Sequence, residues 1–301
     1  MKVNDVKRIG IVGSGVVGTT LAAATAQKYE VVVKRRDISK GLAEEAKSKI
    51  KRCFPSMVKR EKLKEEQIDL AISHISITDN YQDLKNCQVI FDASPDILEV
   101  KIAAFAELDK VCPPETIFFC TSACVSVTSL AADSGRPDRT MTAHFMTPVH
   151  IWNSVEVAPA IQTSQETIAF AEAFLKEGMD KTIVRCKDTP GLIQDYFLFA
   201  YFNHAIEALQ NGAGTVDAID TMIKEGFGLR LGPFELMDHL GMGGQVGSTK
   251  GIYNQLYDKK FAPPPLLVKM VDAGYIGRIA GKGWYLWDEQ GKKIGINQLP
   301  W

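Results

Sequence analysis

The chain has 301 residues, 46% of them hydrophobic and 24% charged, with a formal net charge of −1. These are the proportions of a globular protein with one large or two ordinary domains. The near-zero charge excludes a polybasic field for nucleic acid or acidic lipid, and no apolar run reaches the roughly 20 residues of a membrane helix.

The start, Met1-Lys2-Val3-Asn4-Asp5, shows no apolar signal segment. Cys53, Cys87, Cys112, Cys120, Cys124 and Cys186 form no CxxC pair. Neither a metal site nor a disulfide framework is expected, and a cytoplasmic setting is.

In chain order, Arg8 to Val12 is a short apolar run that ends in a glycine cluster, the pattern of a buried parallel strand. Thr19 to Gln27 predicts a helix and Glu30 to Val33 a second strand. Leu42 to Lys64 is a long charged helical stretch interrupted near Pro55. Ile75 to Thr78 and Val89 to Ala93 predict strands, Leu98 to Leu108 a helix and Thr116 to Cys120 a strand. This alternation predicts a parallel sheet with helices on both faces. After Ile183-Val184-Arg185-Cys186 the pattern changes. Thr189-Pro190-Gly191 punctuates, and Leu192 to Leu209 reads as a long helix that is apolar on nearly every face. Such a helix must be covered on nearly every side, which predicts a homodimer. The expected architecture is an α/β domain with a parallel-sheet core over residues 1–186, then an all-α domain for substrate and dimerisation over residues 187–301.

Gly13-Ser14-Gly15-Val16-Val17-Gly18 is a GxGxxG motif that follows a predicted strand and opens a predicted helix, which is the context of a Rossmann dinucleotide site. Gly13 permits the tight turn, Gly15 lets the backbone approach the pyrophosphate, and Gly18 allows close helix packing. Val16 and Val17, within the motif and just ahead of the predicted helix whose N-terminus faces the phosphates, are candidate cofactor contacts. At the end of the second strand stands Lys34-Arg35-Arg36-Asp37. An acid there holds a ribose 2′-OH, whereas a guanidinium matches a 2′-phosphate. Arg35 favours NADP; NAD, with Asp37 reaching the ribose, is the alternative.

His144 lies in Thr142-Ala143-His144-Phe145-Met146-Thr147-Pro148-Val149, and Glu156 in Ser154-Val155-Glu156-Val157. With the glycine loop, these segments resemble the 3-hydroxyacyl-CoA dehydrogenase family, whose pattern "HFxNPV" is followed by "VE". Thr189-Pro190-Gly191-Leu192 resembles that family's "TPGF". Gly226 to Asp238 resembles its C-terminal signature, as do Tyr275 to Arg278 and Gly281 to Tyr285. The resemblance spans nearly the whole chain. It implies a Rossmann domain followed by a helical dimerisation domain, and NAD(P)-dependent oxidation of the CH–OH group of a 3-hydroxyacyl-CoA in fatty-acid metabolism. In that chemistry His144 takes the hydroxyl proton and Glu156 holds the imidazole. The resemblance also implies cofactor contacts from Asp96 and Lys101; a solvated helix start with an ordinary charge pair is the other reading.

Three departures bear on the substrate. The family's "NTSS" aligns with Thr121-Ser122-Ala123-Cys124, so Ala123 replaces the serine that bonds the substrate hydroxyl. Thr147 replaces the Asn of "HFxNP". Asp195 replaces the Asn that helps polarise the reacting oxygen, and Tyr196 the Arg after it. An amide donates to a developing alkoxide; an ionised carboxylate only accepts. Thr121, Ala123, Cys124 and Thr147 are therefore candidate substrate residues, and Asp195 joins His144 and Glu156 as a candidate catalytic residue. Lys47, Lys49, Lys51, Arg52, Lys59, Arg60, Lys62 and Lys64 are interspersed with acids. They read as a solvated face or, by the resemblance, as contacts to the CoA nucleotide. Two alternatives stay open: a dehydrogenase of a small non-CoA hydroxy acid or aldehyde, and a catalytically silent crystallin-like relative.

Overall fold

The computed structural model describes residues 1–35 and 40–299. It divides into two units, Met1–Leu192 and Ile193–Trp301. Asp37 and the rest of residues 36–39 lie outside the described residues, so the ribose contact expected of Asp37 does too.

The first unit is built on an eight-stranded sheet. Its strands are β1 (Arg8–Val12), β2 (Glu30–Lys34), β3 (Ile75–Thr78), β4 (Val89–Asp92), β5 (Ile117–Cys120), β6 (Thr140–Phe145), β7 (Ser154–Pro159) and β8 (Thr182–Arg185). The spatial order is β3-β2-β1-β4-β5-β6-β7-β8. The pairs from β3 to β6 are all parallel. β7 runs antiparallel to β6 and β8 parallel to β7. Every residue of β4 and β5 is buried, as a sheet covered on both faces requires. One face packs Phe91 on Phe119 with ring centroids 5.0 Å apart, and the other sets Phe105 edge-on to Phe118 at 5.2 Å.

The helices of this unit are α1 (Val16–Thr25), α2 (Lys40–Lys51), α3 (Phe54–Val58), α4 (Ile68–Ser73), α5 (Leu98–Val111), α6 (Val127–Ala132) and α7 (Gln165–Ala173). The charged stretch breaks between Lys51 and Phe54, ahead of the expected break at Pro55. A proline has no N–H to lose in a first turn, and Pro55 sits in the first turn of α3. α6 is capped from a distance. The Asp188 carboxylate accepts from Val127 N at 3.1 Å, Thr128 N at 2.9 Å and the Ser126 hydroxyl at 2.9 Å. Gly191 N donates to Ala123 O at 2.7 Å. These bonds hold residues 188–191, beyond the boundary expected at 187, to the first unit.

The second unit contains α8 (Gln194–Gln210), α9 (Val216–Phe227), α10 (Pro233–Leu240), α11 (Met242–Leu256) and α12 (Pro265–Asp272). It closes with an antiparallel hairpin, β9 (Tyr285–Trp287) and β10 (Lys293–Ile296). The unit is helical as expected, but it is not wholly α. Two buried carboxylates organise it. Asp220 caps α10, accepting from Phe234 N and Glu235 N, each at 2.9 Å, and from the Tyr285 hydroxyl at 2.8 Å. Asp238 accepts from Trp284 N at 2.9 Å, Tyr285 N at 2.8 Å and Trp287 Nε1 at 2.9 Å. A Cβ on Gly283 would stand 2.0 Å from Asp238 Oδ1, and Gly277, at φ +102°, leaves no room for one either. No helix among the described residues is long and apolar enough to cross a membrane.

Removing the Asp238 carboxylate orphans three buried donors, each costing about 1–3 kcal/mol. Asp238→Ala is expected to lower stability by at least about 3 kcal/mol, measured by chemical denaturation followed through tryptophan fluorescence. An unchanged denaturation midpoint would show that the hairpin does not depend on this carboxylate.

Candidate active site

The strand register sets one row of residues across the sheet. Val12 pairs with Asp92, Asp92 with Cys120, and Cys120 with Thr142. The residues just beyond this row are Gly13, Ala93, Thr121 and Ala143, and His144 follows near the end of β6. The carboxyl ends of parallel strands beside the place where strand order reverses form the usual crevice for ligands.

The glycine loop fills the β1 end of that crevice. Gly13 has φ +105°, and a Cβ there would lie 2.3 Å from Ala93 O. A Cβ on Gly18 would stand 2.1 Å from Gly13 O, so this glycine lets the helix sit directly under the loop. Gly15 caps α1, and a Cβ on it would meet nothing within 4 Å. Val16 and Val17 form the first turn, where amide N–H groups lack acceptors within the helix. An open face bearing helix N–H groups fits the diphosphate of a dinucleotide.

Arg35 continues the end of β2. Its N–H donates to Thr78 O and its Nη1 to Leu42 O, both at 2.8 Å. The guanidinium is thus tied back to α2. Lys101 is fully buried, so it is not part of a solvated charge pair. Its Nζ lies 2.9 Å from Asp92 Oδ2, 3.0 Å from Ser94 O and 3.7 Å from Asp96 Oδ1. Burial opposes its charge, but Cys120 and the Asp92 and Asp96 carboxylates together outweigh burial and raise its pKa. Asp96 is 41% exposed. Asp92 also receives Ser94 N on Oδ1 at 3.1 Å. It therefore fixes the β4 loop that touches Gly13.

At the β6 end, His144 and Glu156 are directly opposite in the antiparallel β6–β7 pair. His144 Nδ1 lies 2.8 Å from Glu156 Oε2, with the two side chains 14% and 4% exposed. A carboxylate only accepts, so Nδ1 carries the proton and Nε2 is the basic nitrogen. Thr121 donates its hydroxyl to Asp92 O at 2.9 Å. Ala123 and Cys124 are buried, and Cys124 N donates to the Ser122 hydroxyl at 3.0 Å. Thr147 lies half-buried three residues past His144. Asp195 belongs to the second unit, in the first turn of α8, and is buried with Gln194 Nε2 at 3.4 Å.

Sequence reasoning did not single out Asp92, whose only visible sign is an acid closing an apolar strand. It also missed Asp188, which reads in sequence as one more surface acid.

Comparison with known proteins gives the chain's family. The model of the 3-hydroxyacyl-CoA dehydrogenase NAD-binding domain matches residues 8–189, and that of the family's C-terminal domain matches residues 191–287. A probable 3-hydroxybutyryl-CoA dehydrogenase of Bacillus subtilis is 31% identical over 286 residues, 95% of this chain and 99% of that protein. The 3-hydroxybutyryl-CoA dehydrogenase of Bradyrhizobium diazoefficiens is 32% identical over 289 residues, 96% of this chain and 97% of that protein. The crystal structure of (S)-3-hydroxybutyryl-CoA dehydrogenase from Ralstonia eutropha superposes with a TM-score of 0.82 at 29% identity, covering 94% of this chain and all of that one. With a Rossmann-like unit that carries the glycine loop and a helical unit that carries the signature, this chain belongs to the 3-hydroxyacyl-CoA dehydrogenase family, NAD-dependent oxidoreductases that act on CH–OH groups.

Proposed function

We propose that the chain oxidises the secondary alcohol of a 3-hydroxyacyl-CoA or a related 3-hydroxy acid, with His144 as general base and Glu156 as its orienting partner. The observation that carries this reading is the 2.8 Å contact between His144 Nδ1 and Glu156 Oε2. The bound nicotinamide supplies the hydride acceptor. His144 Nε2 takes the hydroxyl proton as the carbinol hydrogen leaves as hydride. Glu156 holds the productive tautomer and stabilises the imidazolium that forms. Gly15, Val16 and Val17 present backbone to the diphosphate; Asp96 and Lys101 order the loop beside it.

Names of relatives favour a four-carbon acyl-CoA substrate. Ala123, Thr147 and Asp195, where the family pattern has other residues, favour a second reading: a smaller hydroxy acid or aldehyde without CoA. A homodimer is part of the proposal, supported by Phe197, Met222 and Phe227 of the second unit, each about 70% exposed.

A panel of 3-hydroxyacyl-CoA thioesters and free 3-hydroxy acids, assayed with both cofactors, separates the two substrate readings. On the best substrate, His144→Ala is expected to lower kcat by about 10²–10⁴-fold with cofactor affinity nearly unchanged. Turnover close to wild type would remove His144 from the mechanism.

We further propose that Arg35 binds a 2′-phosphate, so that NADP is the preferred cofactor. Its place after β2 supports this. Its bond to Leu42 O would hold the guanidinium at that position. Arg35→Asp is then expected to shift the ratio of kcat/KM values toward NAD by about 10- to 100-fold, the worth of a charged hydrogen bond. A wild type that already prefers NAD strongly would overturn the assignment.

Asp195 is proposed as a substrate-selecting residue on its motif position, where the family pattern has an amide that donates to the reacting oxygen. Asp195→Asn is expected to raise kcat/KM on 3-hydroxyacyl-CoA relative to the natural substrate. If that substrate carries a cation, its KM should rise as well, because an ion pair is lost. Equal ratios in mutant and wild type would take Asp195 out of substrate selection.

A further inference from the structure

The connection between β6 and β7 covers residues 146–153. It is longer than the roughly two to five residues that commonly join antiparallel strands. Phe145 pairs with Val155 at the mouth of this loop, and His144 with Glu156 is the next rung. A strand pair frays from its open end, and long loops are mobile unless tied down. The order of residues 146–153 therefore bears directly on the second rung.

Two lysines from different parts of the chain tie this loop. Lys181, just before β8, is 6% exposed, and its Nζ donates to Val149 O at 2.6 Å and Trp152 O at 2.7 Å. Lys62, which follows α3, donates through Nζ to Ile151 O at 2.9 Å and to the side-chain oxygen of Asn153. Val149 N donates to the Thr20 hydroxyl on α1 at 3.2 Å, and His150 Nε2 lies 2.9 Å from the Ser56 hydroxyl on α3. Burial first, then Lys181, Lys62 and Arg60, push the His150 pKa down to about 4, so this imidazole is neutral and adds no third cation. Lys28, Lys62, His150, Asn153, Asp180 and Lys181 line a cavity of about 350 Å³ behind the loop.

Burying an ammonium against backbone carbonyls is costly, because several kcal/mol of hydration are lost per ion. A surface loop without a task does not require it. Ammonium groups do suit the local chemistry: carbonyls of a turn point outward in different directions, and an ammonium offers three rotatable donors. We propose that Lys62 and Lys181 are positioning residues for the oxidation: by holding residues 149–153 they keep β6 and β7 paired to the loop end and His144 aligned with Glu156. This rests on the reading of His144 as general base.

The test uses the full chain with Lys62→Met, Lys62→Arg and Lys181→Met. Lys62 is half-buried at the surface, so its variants are expected to fold even if Lys181→Met does not. The first readout needs no substrate: the downfield Nδ1 proton resonance of His144, held by Glu156. In Lys62→Met this proton should exchange faster with water; in Lys62→Arg, which retains a cationic donor, it should behave as in wild type. The second readout is turnover on the best substrate of the panel. Lys62→Met should lower kcat about 10- to 100-fold, the range that a misplacement of about an ångström produces. The KM for cofactor should hold, and the isotope effect on kcat with substrate deuterated at the carbinol carbon should increase. A loss of folded protein alone would leave that isotope effect unchanged. Wild-type proton exchange and isotope effect in Lys62→Met, alongside an inactive His144→Ala, would overturn the clamp and leave the base intact. An active His144→Ala would remove the base itself, and the exchange readout would then judge the clamp as a structural device alone.

Discussion

The site depends on a single reversal of chain direction. β7 enters the sheet antiparallel to β6, and that register alone sets Glu156 opposite His144. Side chains alternate along a strand, so a slip of one residue would turn Glu156 to the other face and leave a carboxylate in the aromatic core. β8 then covers β7 on its far edge, with Val184 paired to Glu156. The glutamate is held on an interior strand, paired on both sides. A buried carboxylate is costly unless bonded, and the imidazole N–H supplies that bond. The same contact selects the tautomer that leaves Nε2 basic. Stability and chemistry thus ask for the same geometry.

The rest of the crevice follows from how closely β1 and β4 approach. Gly13, Gly18 and Ala93 touch so tightly that a single methyl group on either glycine would have to displace backbone. The Asp92–Lys101 pair sits beneath that contact. With both side chains fully buried, the pair adds rigidity more than net charge, because ammonium and carboxylate largely cancel at a distance. The loop that faces the cofactor is therefore held from the β1 side by sterics and from the β4 side by an ion pair.

Much of this was legible in the sequence where the signal is local. β1 and β3 fall on the residues that their apolar runs predict, because both are bounded by polar or glycine residues. The glycine loop was recognisable because strand, turn and helix occur within a few residues of each other. β6 was not legible as a strand. Thr140, Thr142 and His144 alternate with apolar residues only over this short span, and Glu156, the partner of His144, lies twelve residues on. Lys101 looks like any helix-surface lysine until β4 is placed beside it. The C-terminal hairpin is short, and its strands gain their order from Asp238, some 46–49 residues earlier. Buried acids are the common blind spot. Asp92, Asp220 and Asp238, like the half-buried Asp188, carry no local mark that separates them from solvated ones, since what distinguishes each is a set of donors that only the fold assembles.

That blind spot bears on what the family resemblance means. The signature from Gly226 to Asp238, with Tyr275 to Arg278 and Gly281 to Tyr285, is the longest match in the second unit. The structure accounts for much of it without chemistry. Pro233 opens α10, Asp220 caps it, and Asp238 gathers the backbone of β9 while Gly277 and Gly283 make room for it. These residues specify how the unit folds, and a chain that keeps them need not keep the family's substrate. Substrate choice must then rest on positions that fold requirements leave open. At Ala123 the departure removes a hydroxyl and at Asp195 it replaces a donor with an acceptor. Neither position lies on β6 or β7, whose pairing sets the His144–Glu156 rung. On the proposed reading, proton transfer and substrate recognition are separable in this fold: the first rests on a pair of interior strands, whereas Ala123 and Asp195 lie outside those strands.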